Sequence, residues 1–221
     1  MNVLNNYKYK KMKKKGFYSF VLLTTLAALL LSCGDGKTYT PKPKGYMRIE
    51  LPMQKYYRVD SLSSDTNSPA GPKVALPFSF EANENSVIML KRNNMRLKWV
   101  DLKYPDVNGI IFLTYIPLKK PSDLEGEVDT SYQLLSKHFD FSSGVNERAF
   151  VNKDEHVYAT TYMLQGQNVA STYQFWATDS IHHFLRGSLY IDCVPNNDSL
   201  APVLKYLQQD IDHILETLRW R

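Results

Sequence analysis

Two groups of aspartate and histidine side chains are the parts of this sequence that could bind a metal ion. Asp179 lies close to His182 and His183, and Asp210 precedes His213 by three residues, which places both on one face of a predicted helix. Adjacent residues of a strand point to opposite faces, so His182 and His183 cannot easily share one ion, and two ligands are too few for a stable site. A solvated helix face explains Asp210 and His213 equally well. We therefore predict no metal site and no cofactor.

The sequence also lacks the common catalytic signatures. The patterns H-E-x-x-H, G-x-S-x-G, S-x-x-K and C-x-x-C do not occur. Cys193 closes an apolar strand pattern, and we expect it to be a small buried side chain rather than a nucleophile. We predict that the protein is not an enzyme. A cell-envelope hydrolase stays open as an alternative, because the carboxylate pair of a glycosidase is spaced in three dimensions and not along the chain.

Cys33 has the most specific chemistry in the chain. It follows a lysine-rich start (Lys8–Lys15) and an uncharged, mostly apolar run (Phe17–Leu31), which at fifteen residues is shorter than a bilayer span of roughly twenty. Leu30-Leu31-Ser32-Cys33 resembles the bacterial lipobox, in which a small residue admits the peptidase and the cysteine thiol receives a diacylglycerol. We predict that residues 1–32 are a lipoprotein signal peptide and that Cys33 carries covalent lipid with palmitate-type acyl chains.

The basic character of the chain belongs to this leader. The whole sequence has 27 lysines and arginines against 22 aspartates and glutamates, a formal net charge of +5. Residues 1–32 contain six of the lysines and no acid, so 21 basic residues face 22 acidic ones in the rest. The exported part therefore has no charge pattern typical of nucleic-acid binding, and we expect its membrane contact to be made through the lipid.

The exported sequence divides into a linker and a body. We predict a tether over residues 33–45, where Pro41 and Pro43 favour an extended chain, and a single globular domain over residues 46–221. Hydrophobic periodicity predicts strands at Tyr46–Leu51, Leu76–Ala82, Ser86–Lys91, Arg96–Lys103, Ile110–Leu118, Val145–Val151, Glu155–Leu164, Val169–Thr178 and His183–Cys193, and helices at Ser122–Phe139 and Asp198–Arg219. This order is typical of an α+β fold with a largely antiparallel sheet and packed helices, and the layout resembles the PsbP/Mog1 type.

The aromatic residues allow two interpretations. They could form a platform that binds carbohydrate or protein, built from Tyr56, Tyr57, Tyr173, Phe175 and Trp176. Packing in the core of a β-rich sheet is the simpler explanation. A glycan-binding envelope lipoprotein is therefore a second alternative, which predicts an exposed aromatic row on one sheet face.

Three segments resemble one protein family. They are Tyr39–Tyr46 followed by Arg48-Ile49, then His183–Tyr190, and then Pro195–Val203. Together they are similar to the gliding motility lipoprotein GldD family over nearly the whole chain after Cys33. The resemblance implies a non-enzymatic accessory of the gliding apparatus in the cell envelope, which supports export of surface adhesins by type IX secretion and has other proteins of these machineries as partners. It transfers one site residue, the lipidated Cys33.

Two places on the exported part are candidates for partner contacts. Arg186 could pair with an acid such as Asp192 or bind a carboxylate of a partner. The second candidate surface is the tether and its continuation, with Pro41, Lys42, Pro43, Lys44, Tyr46 and Arg48. The residues after Cys33 lack a dense acidic run, so we expect the anchored protein to face the periplasm, with outer and inner membrane both open.

Overall fold

The computed structural model describes residues 49–65, 71–93 and 98–221, so the predicted signal peptide, Cys33 and the tether lie outside the described residues. The described residues form ten strands and two α-helices. The strands are β1 (Tyr56–Ser63), β2 (Lys73–Asn83), β3 (Val87–Asn93), β4 (Lys98–Tyr104), β5 (Gly109–Pro117), β6 (Gly144–Asn152), β7 (Val157–Gln165), β8 (Tyr173–Thr178), β9 (His183–Ile191) and β10 (Arg219–Trp220). The helices are α1 (Asp123–Ser136) and α2 (Asn197–Thr217), and a short 3₁₀ turn, Phe139–Phe141, follows α1.

Seven strands form one antiparallel sheet in the order β3-β4-β5-β9-β8-β7-β6. Its two halves are each made of consecutive strands, and they join where β5 pairs with β9 from Gly109↔Ile191 to Pro117↔His183. A smaller sheet has the order β1-β2-β10 and is also antiparallel. The predicted α+β fold with a largely antiparallel sheet is therefore confirmed.

The hydrophobic core lies between one face of the large sheet, β2 and α2. Side chains alternate along a strand, so Ile111 and Leu113 of β5 point into the core while Phe112 points to the opposite face. The long helix closes the core with its predicted apolar stripe, in which Leu207, Ile211, Ile214, Leu215 and Leu218 are all fully buried. Each such side chain stabilises the fold by about 1.5–3 kcal/mol, so α2 contributes strongly to holding the sheets together.

The shorter helix covers only part of the other face of the large sheet. It lies over β8 and β9, and Leu135 packs with Tyr162 and Leu164 of β7 and with Val169 of the β7–β8 loop in a second, smaller cluster. Tyr132, which the periodicity predicts on the packed side of this helix, is 51% exposed and instead contacts the edge of Phe139. We call the face of the large sheet on the α1 side the outer face.

Several predicted boundaries are wrong. Residues 49–51 are not in a strand, and the first strand lies at Tyr56–Ser63, overlapping a stretch that the sequence predicts as loop. Strand β1 pairs only along one edge and has an irregularity between Val59 and Ser61, so it lacks a clean alternation. Helix α2 begins at Asn197, one residue before its predicted start, and Asn196 takes the cap position without a side-chain capping bond.

Candidate interaction surface

Arg186 is the predicted partner-binding residue that the structure describes. The other candidates, Pro41, Lys42, Pro43, Lys44, Tyr46 and Arg48, lie outside the described residues, and their role stays a prediction. Arg186 sits in the middle of β9, opposite Thr114 of β5 and Trp176 of β8. Its neighbours Leu185 and Gly187 face the core, so strand alternation places Arg186 on the outer face.

The guanidinium of Arg186 is partly buried and forms no ion pair with any described carboxylate. Its Nη2 donates a hydrogen bond of 3.0 Å to Oε1 of Gln174, and burial lowers the pKa of Arg186. The alternative of an internal pair with Asp192 is not formed, because Asp192 lies exposed beyond the end of β9. Gln174 is itself 2% exposed, and its Nε2 has no hydrogen-bond partner in the described part of the chain.

His138 and Tyr190 complete the surroundings of Arg186. Their rings meet edge to face with centroids 6.2 Å apart, and the Tyr190 hydroxyl lies 3.5 Å from Nε2 of His138. Burial and the positive charge of Arg186 lower the pKa of His138, which keeps the imidazole neutral near neutral pH. The cluster therefore holds more hydrogen-bond donors than acceptors, and no carboxylate of the described residues forms an ion pair with its positive charge.

Apolar side chains extend the outer face away from α1. Val87 of β3, Trp99 of β4 and Phe112 of β5 are 47%, 40% and 37% exposed. Phe112 reaches the Arg186 cluster, because its ring makes an edge contact with Tyr190 at 5.7 Å. We call Arg186, Phe112, Tyr190 and Trp99 the outer patch. Arginine and aromatic residues of this kind are those that dominate binding energy at protein interfaces.

The sequence allows Asp210 to lie on a solvated helix face, but the structure buries it. The residue is 1% exposed. Its carboxylate accepts hydrogen bonds from Gln54 Nε2 at 2.8 Å, Tyr56 Oη at 2.8 Å and Asn83 Nδ2 at 2.9 Å. Burial and the bond to Asp210 raise the pKa of Tyr56, so its hydroxyl stays a donor. These bonds fasten the segment before β1, and both β1 and β2, to the middle of α2.

His213 is the other acid–base candidate on α2. Its Nε2 lies 2.9 Å from Oε2 of Glu81 on β2, and its ring stacks on Tyr56 with centroids 3.7 Å apart. In the described part of the chain, neither ring nitrogen bonds a hydroxyl or thiol that could act as a nucleophile. The pair therefore serves to pack α2 against the small sheet.

The group around Asp179 has a structural explanation. Asp179 Oδ1 accepts the backbone N–H groups of Ile181, His182 and His183 at 2.8–3.0 Å. Burial opposes its ionisation, but these three bonds outweigh burial and lower the pKa of Asp179. This carboxylate thus stabilises the turn between β8 and β9. Among the described residues, no group of three or more potential ligands is placed to hold a metal ion.

A cleft of about 1000 Å³ lies between the β7–β8 loop, the 3₁₀ turn after α1 and the start of α2. Amide side chains such as Gln165, Gln167 and Asn197 line it, and no lysine, arginine or histidine is among its described lining residues. Gly166 shapes one wall with φ +137°, and a Cβ there would lie 2.8 Å from the Phe141 carbonyl oxygen. The ring of Phe141 is 64% exposed at the cleft.

One further sequence expectation is not met, and the structure favours the simpler explanation of the aromatics, packing in the core. Cys193 is an exposed free thiol, because β9 ends at Ile191 and the chain then turns towards α2. The five aromatics considered as a platform are not together, since Tyr173 and Phe175 are buried while Trp176 lies on the opposite face of β8 from Phe175. Sequence reasoning missed Trp99 and Phe112 as surface residues, because the apolar run of β5 does not reveal which face is covered.

Comparison with known proteins identifies the family of the chain. No curated protein matches it. In the described residues, no helix has both the length and the apolarity that crossing a bilayer requires. A family model described as gliding motility lipoprotein GldD matches residues 36–220, which include the whole described fold apart from the final arginine. The chain therefore belongs to the gliding motility lipoprotein GldD family.

Proposed function

We propose that this protein is a membrane-anchored accessory of the gliding motility apparatus that supports type IX secretion of surface adhesins as a non-enzymatic interaction module. The observation that carries the proposal is the family match over residues 36–220. The outer patch supports the interaction role, since it exposes arginine and aromatic side chains that the fold does not need for its core. The partners would be other envelope proteins of the gliding and secretion machineries.

The membrane attachment would be made by lipid on Cys33. Several acyl chains at about 0.8 kcal/mol per buried methylene give stable anchoring without a membrane-spanning helix. The tether with Pro41 and Pro43 would then hold the body close to the membrane, facing the periplasm. If the tether also docks on a partner, replacing residues 41–46 with a Gly/Ser linker of equal length will abolish spreading; normal spreading of that strain would exclude docking there.

The acid–base groups of the described residues support the proposal that the protein is not an enzyme, because several of them form structural hydrogen bonds. Asp210, Asp179 and the Glu81–His213 pair each bind partners within the fold. A hydrolase would instead need such groups to converge on a cavity with room for a reacting atom. The larger cleft is lined by two other carboxylates, Asp140 and Asp198, and Asp198 accepts a hydrogen bond from Gln167 there.

Deletion of the gene tests the proposed function. We expect loss of colony spreading and loss of secreted adhesins from the culture supernatant, both restored by the wild-type gene. Cys33→Ala should restore neither, and fractionation should find that variant uncleaved or released from the membrane. Cys193→Ala is the matched control, because it removes the other cysteine and should restore both phenotypes. Normal spreading and secretion in the deletion strain would refute the proposal.

Glycan binding is a second candidate function, favoured by the cleft between the β7–β8 loop and the start of α2. Its described lining has amides, hydroxyls, the carboxylates of Asp140 and Asp198 and one exposed aromatic ring but no basic group, which suits a neutral sugar better than an anion. Calorimetric titration of the full chain with neutral oligosaccharides tests this, and Phe141→Ala should weaken any binding. Identical binding by wild type and Phe141→Ala, or no binding at all, would remove the cleft from consideration.

A further inference from the structure

We propose that Arg186 is the anchor of a carboxylate-binding site on the outer patch, and that its ligand is an acidic segment of a partner protein. This inference rests on the proposed role as an interaction module and names the chemistry of the contact. It concerns the described residues around the middle of β9.

The geometry leaves the guanidinium available. Arginine has five N–H donors, and in the described part of the chain one hydrogen bond of Arg186 is formed, to Gln174 Oε1. The Nε2 of Gln174 is attached to the same amide carbon as this oxygen; it is a buried donor, so it offers the guanidinium no further acceptor. Gln174 is almost fully buried and thereby fixes the direction in which Arg186 points.

The energetics favour an anionic ligand. A cation that is partly removed from water without an ion pair loses solvation, and one hydrogen bond to a neutral amide compensates only part of that loss. The planar guanidinium matches a carboxylate through two parallel hydrogen bonds, and such charge-assisted bonds are among the strongest in proteins. A carboxylate on Arg186 would therefore recover the solvation that burial on β9 has removed.

The surroundings favour a protein segment as the source of that carboxylate. Phe112 and Tyr190 flank the site, and Trp99 and Val87 continue the apolar surface, so residues next to the acid would find apolar contacts. Near the patch, the carboxylate of Asp101 is compensated by the charges of Lys91 and Lys103. A segment with acidic residues between apolar ones is complementary to this arrangement.

A peptide titration tests the chemistry directly. The full lipidated chain in detergent micelles is titrated with acetyl-Leu-Asp-Leu-Glu-Leu amide and with its Asn/Gln counterpart, and the amide NMR signals of Gly187 and Ser188 are followed. We expect saturable shifts with the acidic peptide only, weakened about tenfold or more in Arg186→Gln. Arg186→Lys keeps the charge but not the planar fork and should also bind weakly. Arg148→Gln, which breaks a surface pair with Asp212, is the matched control and should bind normally.

The same site can be tested in cells by a photo-crosslinking residue at Phe112. We expect an adduct whose crosslinked peptide contains Asp or Glu, lost in Arg186→Gln and kept in Arg148→Gln. Equal binding of both peptides, an adduct unaffected by Arg186→Gln, or crosslinking to lipid alone would overturn the inference. A normal gliding phenotype of the deletion strain would refute the proposed function instead, so the two failures are distinguishable.

Discussion

The indole of Trp220 lies parallel to the imidazole of His183, with ring centroids 5.1 Å apart and an angle of 9° between the planes. Trp220 belongs to β10 of the small sheet, and His183 begins β9 of the large sheet. The indole Nε1 also donates to the carbonyl of His156, in the turn between β6 and β7, at 3.1 Å. The end of the chain thus joins the two sheets through one side chain.

Trp220→Ala should consequently lower the free energy of unfolding by about 2–3 kcal/mol, because it removes the stack and leaves a gap between the sheets. Trp220→Phe should retain more than half of that stabilisation. The control is Trp99→Ala, an exposed tryptophan of the outer patch, with an expected loss below about 1 kcal/mol. Urea denaturation of the three variants provides the measurement, and an equal loss for the two alanine variants would contradict the assigned roles.

Asp210→Ala should be among the most destabilising changes in the chain. It leaves the donors of Gln54, Tyr56 and Asn83 without their acceptor in a buried place, at a total cost of about 3–5 kcal/mol. Asp129→Ala, on the exposed side of α1, should change stability by less than about 0.5 kcal/mol. Thermal unfolding by circular dichroism distinguishes them. A stable Asp210→Ala protein that has lost function would point to a direct role of this carboxylate.

Gly187→Ala tests the packing of β9 on its core side. A Cβ at this position would lie 2.0 Å from Cε1 of Phe175, which is fully buried, so the ring must move. We expect a loss of about 1–3 kcal/mol from overpacking. Phe175→Leu in the same chain should recover part of that loss, giving a favourable coupling in a double-mutant cycle. Additive losses in urea denaturation would show that the ring is not the obstacle.

Two partly buried histidines should make the folded protein less stable in mild acid. Burial lowers the pKa of His138 and of His183 below the ordinary value near 6.5, so the unfolded chain takes up protons before the folded one does. Stability should therefore fall as pH drops through about 6.5, and the fall should end below the two folded pKa values. Urea denaturation at several pH values between 7.5 and 5 measures this slope. A flat profile would contradict it.

Arg186→Gln should make His138 easier to protonate. The positive charge of Arg186 contributes to the lowered pKa of His138, so its removal should raise that pKa towards the ordinary value. NMR titration of the His138 ring protons measures the shift. His183, whose pKa is lowered by burial and by His182, should titrate unchanged and serves as the internal control. An unchanged pKa of His138 would show that the guanidinium is too far away or too well solvated to act on it.

The sequence predicts the elements with strong periodicity. The stripe of α2 and the strands from β4 to β9 are recognisable because apolar side chains recur at the helical or strand spacing or, in β5, form a continuous run. Strand β1 is not, because it is a half-exposed edge strand with an irregularity. Its position depends on Tyr56 bonding to Asp210, more than 150 residues away in the chain, which no local pattern contains.

The candidate site was predictable in part. Arg186 could be selected because an arginine in the middle of an apolar strand needs either a partner or a function. The sequence could not show that its neighbour is Gln174 rather than Asp192, since that choice depends on β8 pairing with β9. It also could not show that α1 stops short of Trp99 and Phe112, because how far a helix reaches across a sheet is decided by packing and not by periodicity.

The bonds at Asp210 also decide how the body would respond to mechanical load. Any pull that arrives from the N-terminal side of Ile49 meets Gln54, just before β1, and Tyr56, the first residue of β1, before it reaches the rest of the ladder; both side chains are bonded to Asp210. These bonds lead into the middle of α2, whose apolar stripe is seated in the core. Traction would thus be spread over the whole long helix, and β1 would be spared from being unzipped one residue at a time.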